Sequence, residues 1–448
     1  MNPGTRLRTS SALWAAPIVL GLSVFYAVHV FGLDYPYSRS ALPYAPEVVS
    51  FALEPFYGLG FAVVAALSAW EAGRLGKDGV WELAPVRSRY RVAFQALWPV
   101  LVLGWLMLLV AVGAALVREG VAPTLDALQF PCLAALLDVA YCVIGFAVGL
   151  WVTRLIAAPL LAVGVFYLVA FAGAGQFSEG GADWTRHLSG SPSGFLSYGE
   201  LATWSSLAAH LLPAAGVAAG LALAWGPGRT GLVRATAVVA ACAVAVGAFA
   251  TAYRLAADWG ATAPVARARV LVDCAGEAPR VCVPRESDLA PAEARRVVTE
   301  VVTALREAGA GPRTPRRVTD SLVDDSHRIT DGEWHLPLTE ADRDGALRYR
   351  VYRTAGRLPC AKPRPADASA LRLWQAHQVG EERRYLRALR GEVIDPGGDR
   401  ELAALQKAED ARVGGVKARV AKVLEWSDTR QRSWYRATLD RVCGGGAR

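Results

Sequence analysis

Residues 94–117 read FQALWPVLVLGWLMLLVAVGAALV and contain no charged side chain. As a helix, a run of this length crosses a hydrocarbon core of about 30 Å. Lipid offers no water to backbone N–H and C=O groups, so such a run must be helical. Six similar runs lie around it, at 12–33, 51–70, 130–152, 155–175, 203–226 and 232–253. The sequence therefore predicts a polytopic α-helical membrane protein with about seven transmembrane helices.

The apolar runs end at residue 253, and the rest of the chain has a different character. Arg254–Arg448 is rich in Arg, Asp and Glu, which the whole-chain averages of 53% hydrophobic and 20% charged residues conceal. We predict a transmembrane domain at 1–253 and a soluble α+β domain at 254–448. Within the soluble domain the patterns predict strands at 270–272, 281–283 and 349–352, a helix at 291–308, and helices from Ala366 onward with a break at 395–398.

The orientation of the chain follows from its loop cations. With the amino terminus inside, ten cations lie at inner segments (Arg6, Arg8, Arg74, Lys77, Arg87, Arg89, Arg91, Arg154, Arg229 and Arg234). Three lie at outer loops (Arg39, Arg118 and Arg186). Positive charge accumulates on the cytoplasmic side of membrane proteins. With an odd number of spans, the domain at 254–448 is then extracytoplasmic.

The composition bears on the membrane and on possible partners. The bias toward Arg, Ala, Gly and Val with few Lys is typical of a GC-rich bacterial genome, so we expect a bacterial plasma membrane. The net charge of +8 comes mostly from Arg, much of it in short loops between apolar runs. That distribution indicates membrane topology and contact with lipid, and it argues against a nucleic-acid partner.

Four of the seven cysteines lie in the soluble domain, at Cys274, Cys282, Cys360 and Cys443. An even number in an oxidising compartment favours two disulfides. Cys274 and Cys282 flank a short turn, and Cys360 and Cys443 would join the start of the helical tail to its end. Four free, buried thiols are the alternative, since spacing does not determine connectivity.

Three sequence motifs of common enzymes are absent. The chain has no phosphate-binding loop, no His-Glu-x-x-His and no paired Cys-x-x-Cys, so we expect neither ATP hydrolysis by this chain nor a metal or other cofactor. The most polar cluster runs through Asp324, Asp325, Ser326 and His327 to Asp331, Glu333 and His335. It has no recognised ligand spacing and is better interpreted as a solvated loop.

The ionisable residues within the apolar runs include His29, Asp138 and His210. A carboxylate in lipid is costly, so Asp138 is a candidate for lining a polar path. Hydrogen bonding to a neighbouring helix, with a role in packing alone, is an equal alternative for Asp138. The two histidines are more typical of the membrane interface.

The inner loop between the second and third runs holds a distinctive order of residues. Glu71 and Arg74 end the second run, a Gly-rich turn and a short amphipathic piece follow, and then come Pro85, Arg87 and Arg89. A helix lying along the inner membrane surface accounts for this order.

Over residues 10–226 the chain resembles the ABC-2-type transporter permeases, both in the order of residues in this loop and in a layout of six spans with a longer outer loop between the fifth and the sixth. Glu71 and Arg74 match the Glu-x-x-Arg-Gly end of their second span. Pro85, Val86 and Arg89 match the Pro-Val-Ser-Arg segment that follows their coupling helix. The resemblance implies an export permease without covalent chemistry of its own, a cytoplasmic ABC ATPase partner, and a homo- or heterodimer of permease subunits. The seventh run and the outer domain are additions to that layout.

Two other functions stay open. One is a membrane-anchored binding or sensing protein that works through its outer domain on a degenerate permease scaffold. The other is an outer-facing hydrolase, for which the cluster around His327 and His335 is the only indication.

Overall fold

A computed structural model describes residues 10–32, 42–83, 88–173, 183–190, 196–226, 231–260, 262–323, 328–330, 332–360, 363–391 and 400–444. The chain divides into two compact units, Met1–Ala268 and Arg269–Arg448.

The first unit is a helical bundle. Its long helices are α1 (Ser11–Gly32), α2 (Ala45–Lys77), α4 (Arg89–Glu119), α5 (Gln129–Trp151), α6 (Arg154–Gly173), α7 (Trp204–Ala224) and α8 (Gly231–Ala256), with a short α3 (Val80–Leu83) after α2. Among the described residues, seven helices are long and apolar enough to cross a membrane, which is the number expected from the apolar runs.

Helix α2 lies at the centre of this unit and packs against α4, α5 and α6. It buries Leu53, Tyr57 and Phe61, and Phe61 stacks on Tyr141 of α5 with ring centroids 5.0 Å apart. The proline at position 55 lies inside the helix without ending it. Neighbouring helices can satisfy the backbone groups that an intramembrane proline frees.

Small residues let pairs of helices approach closely. A Cβ built on Gly145 of α5 would lie 2.2 Å from the Ala65 carbonyl oxygen of α2, and one on Gly149 would lie 2.3 Å from that of Ala69. The same spacing recurs at Gly216 and Gly220 of α7, which face α8. In lipid the hydrophobic effect supplies little attraction between helices. Small residues spaced four apart let the helix backbones approach closely enough for van der Waals packing to hold them together.

A two-stranded sheet completes the first unit. Strand β1 (Glu200–Ala202) pairs antiparallel with β2 (Val265–Arg267). The segment after α8 therefore folds back onto the loop before α7.

The second unit combines a four-stranded sheet with helices. The sheet has the order β3 (Val272–Ala275), β4 (Arg280–Pro284), β5 (Arg317–Asp320) and β6 (Glu333–Leu336). The β3–β4 pair is antiparallel, and the β4–β5 and β5–β6 pairs are parallel. The helices are α9 (Pro291–Glu307), α10 (Leu338–Arg343), α11 (Leu347–Ala355), α12 (Pro365–Gln378), α13 (Glu382–Arg390), α14 (Arg400–Leu424) and α15 (Asp428–Cys443).

Helix α9 supplies much of the core of the second unit. It buries Val298, Val301 and Leu305 on one stripe, at the spacing of an amphipathic helix. Trp334 of β6 and Trp374 of α12 are among the largest side chains in the same core. The helix predicted at 291–308 is confirmed.

The predicted strand at 349–352 is wrong, because these residues lie in α11. The alternation there coincides with a helical stripe, in which Leu347, Val351 and Ala355 are four residues apart and all buried. The predicted break at 395–398 lies outside the described residues, between α13 and α14.

Candidate functional site

Glu71 lies inside α2, and its side chain is fully buried. Its Oε1 accepts a hydrogen bond of 2.6 Å from the backbone N–H of Ser11, the first residue of α1. Its Oε2 lies 2.6 Å from Nη2 of Arg74, one turn further along α2. Glu71 therefore joins the first long helix to the second.

This arrangement has a simple electrostatic reason. The first N–H groups of a helix have no partner within the helix and carry partial positive charge. A carboxylate at that position satisfies one of them, and Arg74 neutralises the remaining charge. The Glu71 side chain is therefore enclosed within the bundle and is not exposed to a group from outside it.

The predicted amphipathic piece is the short helix α3. Helix α2 runs on to Lys77, and Gly79 turns the chain with a φ of 62°. Trp81 of α3 then packs edge-on against Phe146 of α5 and Trp225 at the end of α7, with centroid distances of 6.2 Å and 5.3 Å. A movement of α3 would therefore change the packing of α5 and α7.

Arg154 connects the start of α6 to the same end of α2. Its guanidinium lies over the ring of Trp70, 4.9 Å from the centroid. A Cβ on Gly73 would come within 2.8 Å of the Arg154 Cβ. Only a residue without a side chain fits at position 73 while this contact holds.

A cavity of about 440 Å³ lies among these elements. It is bounded by the end of α2, by Trp81 of α3, and by the junction of α5 and α6 at Thr153. Lys77, which is exposed, and Arg154 contribute cationic groups to its wall. The arrangement can accept an acidic or polar group from outside the bundle.

The remaining predicted residues of this loop do not all join the cavity. Arg89 is the first residue of α4, is exposed and does not line the cavity. Pro85 and Arg87 lie outside the described residues.

Asp138 is fully buried in the middle of the bundle. A Cβ on Gly104 of α4 would lie 3.1 Å from its Oδ2, so the carboxyl group packs on the surface that Gly104 leaves open. Neither oxygen has a hydrogen-bond partner among the described residues. One turn along α5, Cys142 receives a 3.1 Å hydrogen bond from the Ser68 hydroxyl of α2. Asp138 does not line the cavity beside α3.

The two histidines of the apolar runs have different surroundings. His29 is exposed and stacks on Phe25. His210 is fully buried, its Nδ1 lies 2.6 Å from the Ser206 carbonyl oxygen, and its ring meets that of His187 at 5.7 Å. His187 lies in a polar loop, and nothing in the sequence indicated that the fold would bury it.

The second unit brings together both predicted cysteine pairs. The sulfur atoms of Cys274 and Cys282 lie 2.05 Å apart, and the two residues are register partners on β3 and β4. The sulfur atoms of Cys360 and Cys443 lie 2.13 Å apart. Both separations are compatible with disulfides.

The polar cluster around His327 and His335 forms no site in the part of the chain that is described. Asp324 to His327 and Asp331 lie outside the described residues. Glu333 is exposed, and Nδ1 of His335 lies 3.2 Å from the Arg328 carbonyl oxygen. Over the described ranges, no three His, Cys, Asp or Glu side chains are grouped so that they could hold a metal.

A cleft of about 360 Å³ opens in the second unit between α9, α12 and α15. Its wall includes the charged side chains of Glu307, Asp428 and Arg432, none of which has an ion pair with a described residue. Trp374 backs the cleft and donates a 2.9 Å hydrogen bond to Oε1 of Gln431.

No protein-family model, curated protein or solved structure matches this chain.

Proposed function

We propose that this chain is the membrane-spanning subunit of an ATP-driven exporter, a polytopic protein of the bacterial plasma membrane. ATP is hydrolysed by a separate cytoplasmic ABC ATPase, and two permease subunits, identical or different, surround the transport path. The observation that carries the proposal is the cavity beside α3 at the end of α2, whose wall holds the cationic side chains of Lys77 and Arg154.

Contacts around the cavity suggest how a partner would act on the bundle. A partner group bound near Lys77 would displace α3, and the ring of Trp81 would pass that displacement to Phe146 and Trp225. Packed side chains with two discrete arrangements are the usual carriers of such coupling. Glu71 and Arg74 act as positioning residues, because they hold α1 against α2 beside the moving part.

A photo-cross-linking experiment tests this proposal. A benzophenone amino acid at Lys77, in the cavity wall, should form an adduct in native membranes with a protein that contains a phosphate-binding loop. The same amino acid at Glu119, at the opposite end of α4, should not. Adducts at Lys77 that contain no nucleotide-binding protein would contradict the proposal.

Coupling is tested separately from docking. Trp81→Ala should lower transport-coupled ATP hydrolysis by about fivefold while the cross-link at Lys77 persists. Trp14→Ala, which removes an exposed indole of α1, is the matched control and should leave hydrolysis unchanged.

A second candidate function rests on the cleft of the second unit. Charged groups of both signs around one opening suit a polar ligand that carries both a cationic and an anionic group. The chain would then be a membrane-anchored binding protein. Binding of free amino acids to the purified chain, lost in Arg432→Gln, would favour this function over transport.

A further inference from the structure

A groove on the first unit lies between α4, α5 and the end of α7 and has a volume of about 280 Å³. Its wall is almost wholly apolar and rich in aromatic rings. The main lining residues are Phe94, Trp98, Leu101, Trp105, Phe146 and Trp225. We call this surface the aromatic groove.

The aromatic groove is open along one side. Phe94 and Trp98 are 58% and 46% exposed, whereas Leu101 and Phe146 at its floor are 6% and 4% exposed. All three bounding helices are apolar enough to cross a membrane, so an exposed apolar side on them faces lipid. An apolar cleft of this kind does not hold ordered water, and a hydrocarbon chain is its natural occupant.

One end of the groove has the character of a membrane interface. Tyr90 lines that end, donates a 2.8 Å hydrogen bond to the Ala222 carbonyl oxygen and packs edge-on against Trp225. Tyrosine and tryptophan rings concentrate at the headgroup level of bilayers. The groove therefore extends from the headgroup level into the hydrocarbon region.

Two cations flank Tyr90 at this end. Arg89 precedes the lining residue Ala93 by one turn, and Arg91 precedes Phe94 by three residues, so each shares a helix face with the groove wall. Both are exposed, and neither has an ion pair with a residue of the described part of the chain. Unpaired arginines at headgroup level attract lipid phosphate.

We infer that the aromatic groove binds an anionic phospholipid of the surrounding membrane. One acyl chain lies over Leu101 and Phe146, and the headgroup phosphate lies at Arg89 and Arg91. This site goes beyond the proposed transport function and does not depend on it, since it needs only that the bundle crosses a membrane.

Native mass spectrometry of the full chain in detergent tests the inference. The probes are phosphatidylglycerol and phosphatidylcholine with identical acyl chains, added at equal concentration. The wild type should retain one phosphatidylglycerol in preference to phosphatidylcholine. Arg89→Gln with Arg91→Gln should weaken that retention about tenfold. Arg234→Gln removes an exposed cation from α8, away from the groove, and should change nothing.

A second variant tests the acyl-chain part. Val139→Trp adds an indole at the exposed wall of the groove and should reduce retention of both lipids. Leu109→Trp makes a similar change on the exposed face of α4 outside the groove and serves as the control. Because both positions are exposed, neither variant disturbs the core.

Two results would overturn the inference. Equal retention of the two lipids by the wild type would remove the role of the arginines. Unchanged retention in Val139→Trp, or a shift of that variant from dimer to monomer, would mean that the groove holds no lipid chain or that a second copy of the chain occupies it.

Discussion

At the scale of single residues, burial determines what a charged side chain does. Glu71 looks in sequence like a surface residue at the end of an apolar run, yet its carboxylate is enclosed by Ser11 and Arg74. A buried ion pair contributes little net stability, but removing one partner leaves the other charge without compensation. The pair is therefore a constraint on how α1 meets α2.

We expect Glu71→Gln to lower the free energy of unfolding by about 3 kcal/mol, because Arg74 loses its charge partner and Ser11 a charged acceptor. Arg74→Gln should cost a similar amount. The double variant should cost clearly less than the sum of the two single changes, since the two residues are coupled. Thermal unfolding in detergent measures all three, with Lys77→Gln as an exposed control on α2. Strict additivity would show that the pair contributes nothing.

Asp320 is the corresponding buried carboxyl of the second unit. Its oxygens accept three hydrogen bonds, from the N–H and hydroxyl of Thr339 and from the N–H of Leu322. Burial nevertheless raises the pKa of Asp320 above its ordinary value, and the three hydrogen bonds oppose that shift only in part. The folded chain thus holds this proton more tightly than the unfolded chain does.

A raised pKa in the folded state means that stability is fully present below the ordinary pKa of an aspartate and falls as the pH rises through the folded pKa. We therefore expect the melting temperature of the second unit to fall as the pH rises above about pH 4. Asp320→Asn should remove the decline and should cost about 1–3 kcal/mol, because the amide NH₂ cannot accept the hydrogen bonds of Thr339. Melting curves between pH 4 and pH 7 would contradict this if wild type and variant declined in parallel.

At the scale of elements, glycines determine how closely the helices of the bundle pack. Gly145 and Gly149 leave the backbone of α5 in contact with that of α2, at distances where no Cβ fits. A Cβ added to Gly164 of α6 would meet no atom within 4 Å, so this glycine has no such role. Glycine is therefore needed for helix packing at positions 145 and 149 of α5, but not at position 164 of the neighbouring α6.

Gly149→Ala should push α5 from α2 and destabilise the bundle by about 1–3 kcal/mol, the usual cost of overpacking. Gly164→Ala should be neutral or stabilise by up to about 1 kcal/mol, since alanine favours helix at an unobstructed position. Unfolding of the two purified variants in detergent, compared with the wild type, measures the difference. If both variants melted alike, the close approach of α2 and α5 would not limit stability.

At the scale of the whole molecule, loop charge predicts how the chain is oriented. Ten inner cations against three outer ones favour a cytoplasmic amino terminus, and seven spans then bring the second unit outside. A phosphatase fused after Arg448 should be active in the periplasm or outside the cell, and a fluorescent protein that matures only in the cytoplasm should stay dark there. The opposite result would mean either that the number of membrane crossings is even or that the amino terminus lies outside the cytoplasm.

The cysteines support that predicted orientation independently of the loop charges. Cys360 and Cys443 are far apart in sequence, yet their sulfur atoms meet, as those of Cys274 and Cys282 do. Structural disulfides form and persist in oxidising compartments. Pairing of all four cysteines thus agrees with the predicted extracytoplasmic location of the second unit.

Much of the architecture was determined by the sequence by itself. The length and apolarity of the seven runs are local properties, and a helix is the only local structure that satisfies the backbone in lipid, so their number could be read directly. The helix at 291–308 was equally local, because its apolar stripe and its first-turn proline lie within one segment. Charge counting across the loops needed no structure at all.

Only the tertiary structure decided what the polar residues meet. Helices distant in sequence determine the surroundings of these polar side chains. They decide that Glu71 meets the N–H of Ser11, that Asp138 has no hydrogen-bond partner among the described residues, and that His187 is buried. The helix at 347–355 was missed because four residues of alternation suit a strand and a helical stripe alike until packing selects one. Periodicity and hydropathy record what one segment prefers, whereas the surroundings of a side chain depend on which other segments fold against it.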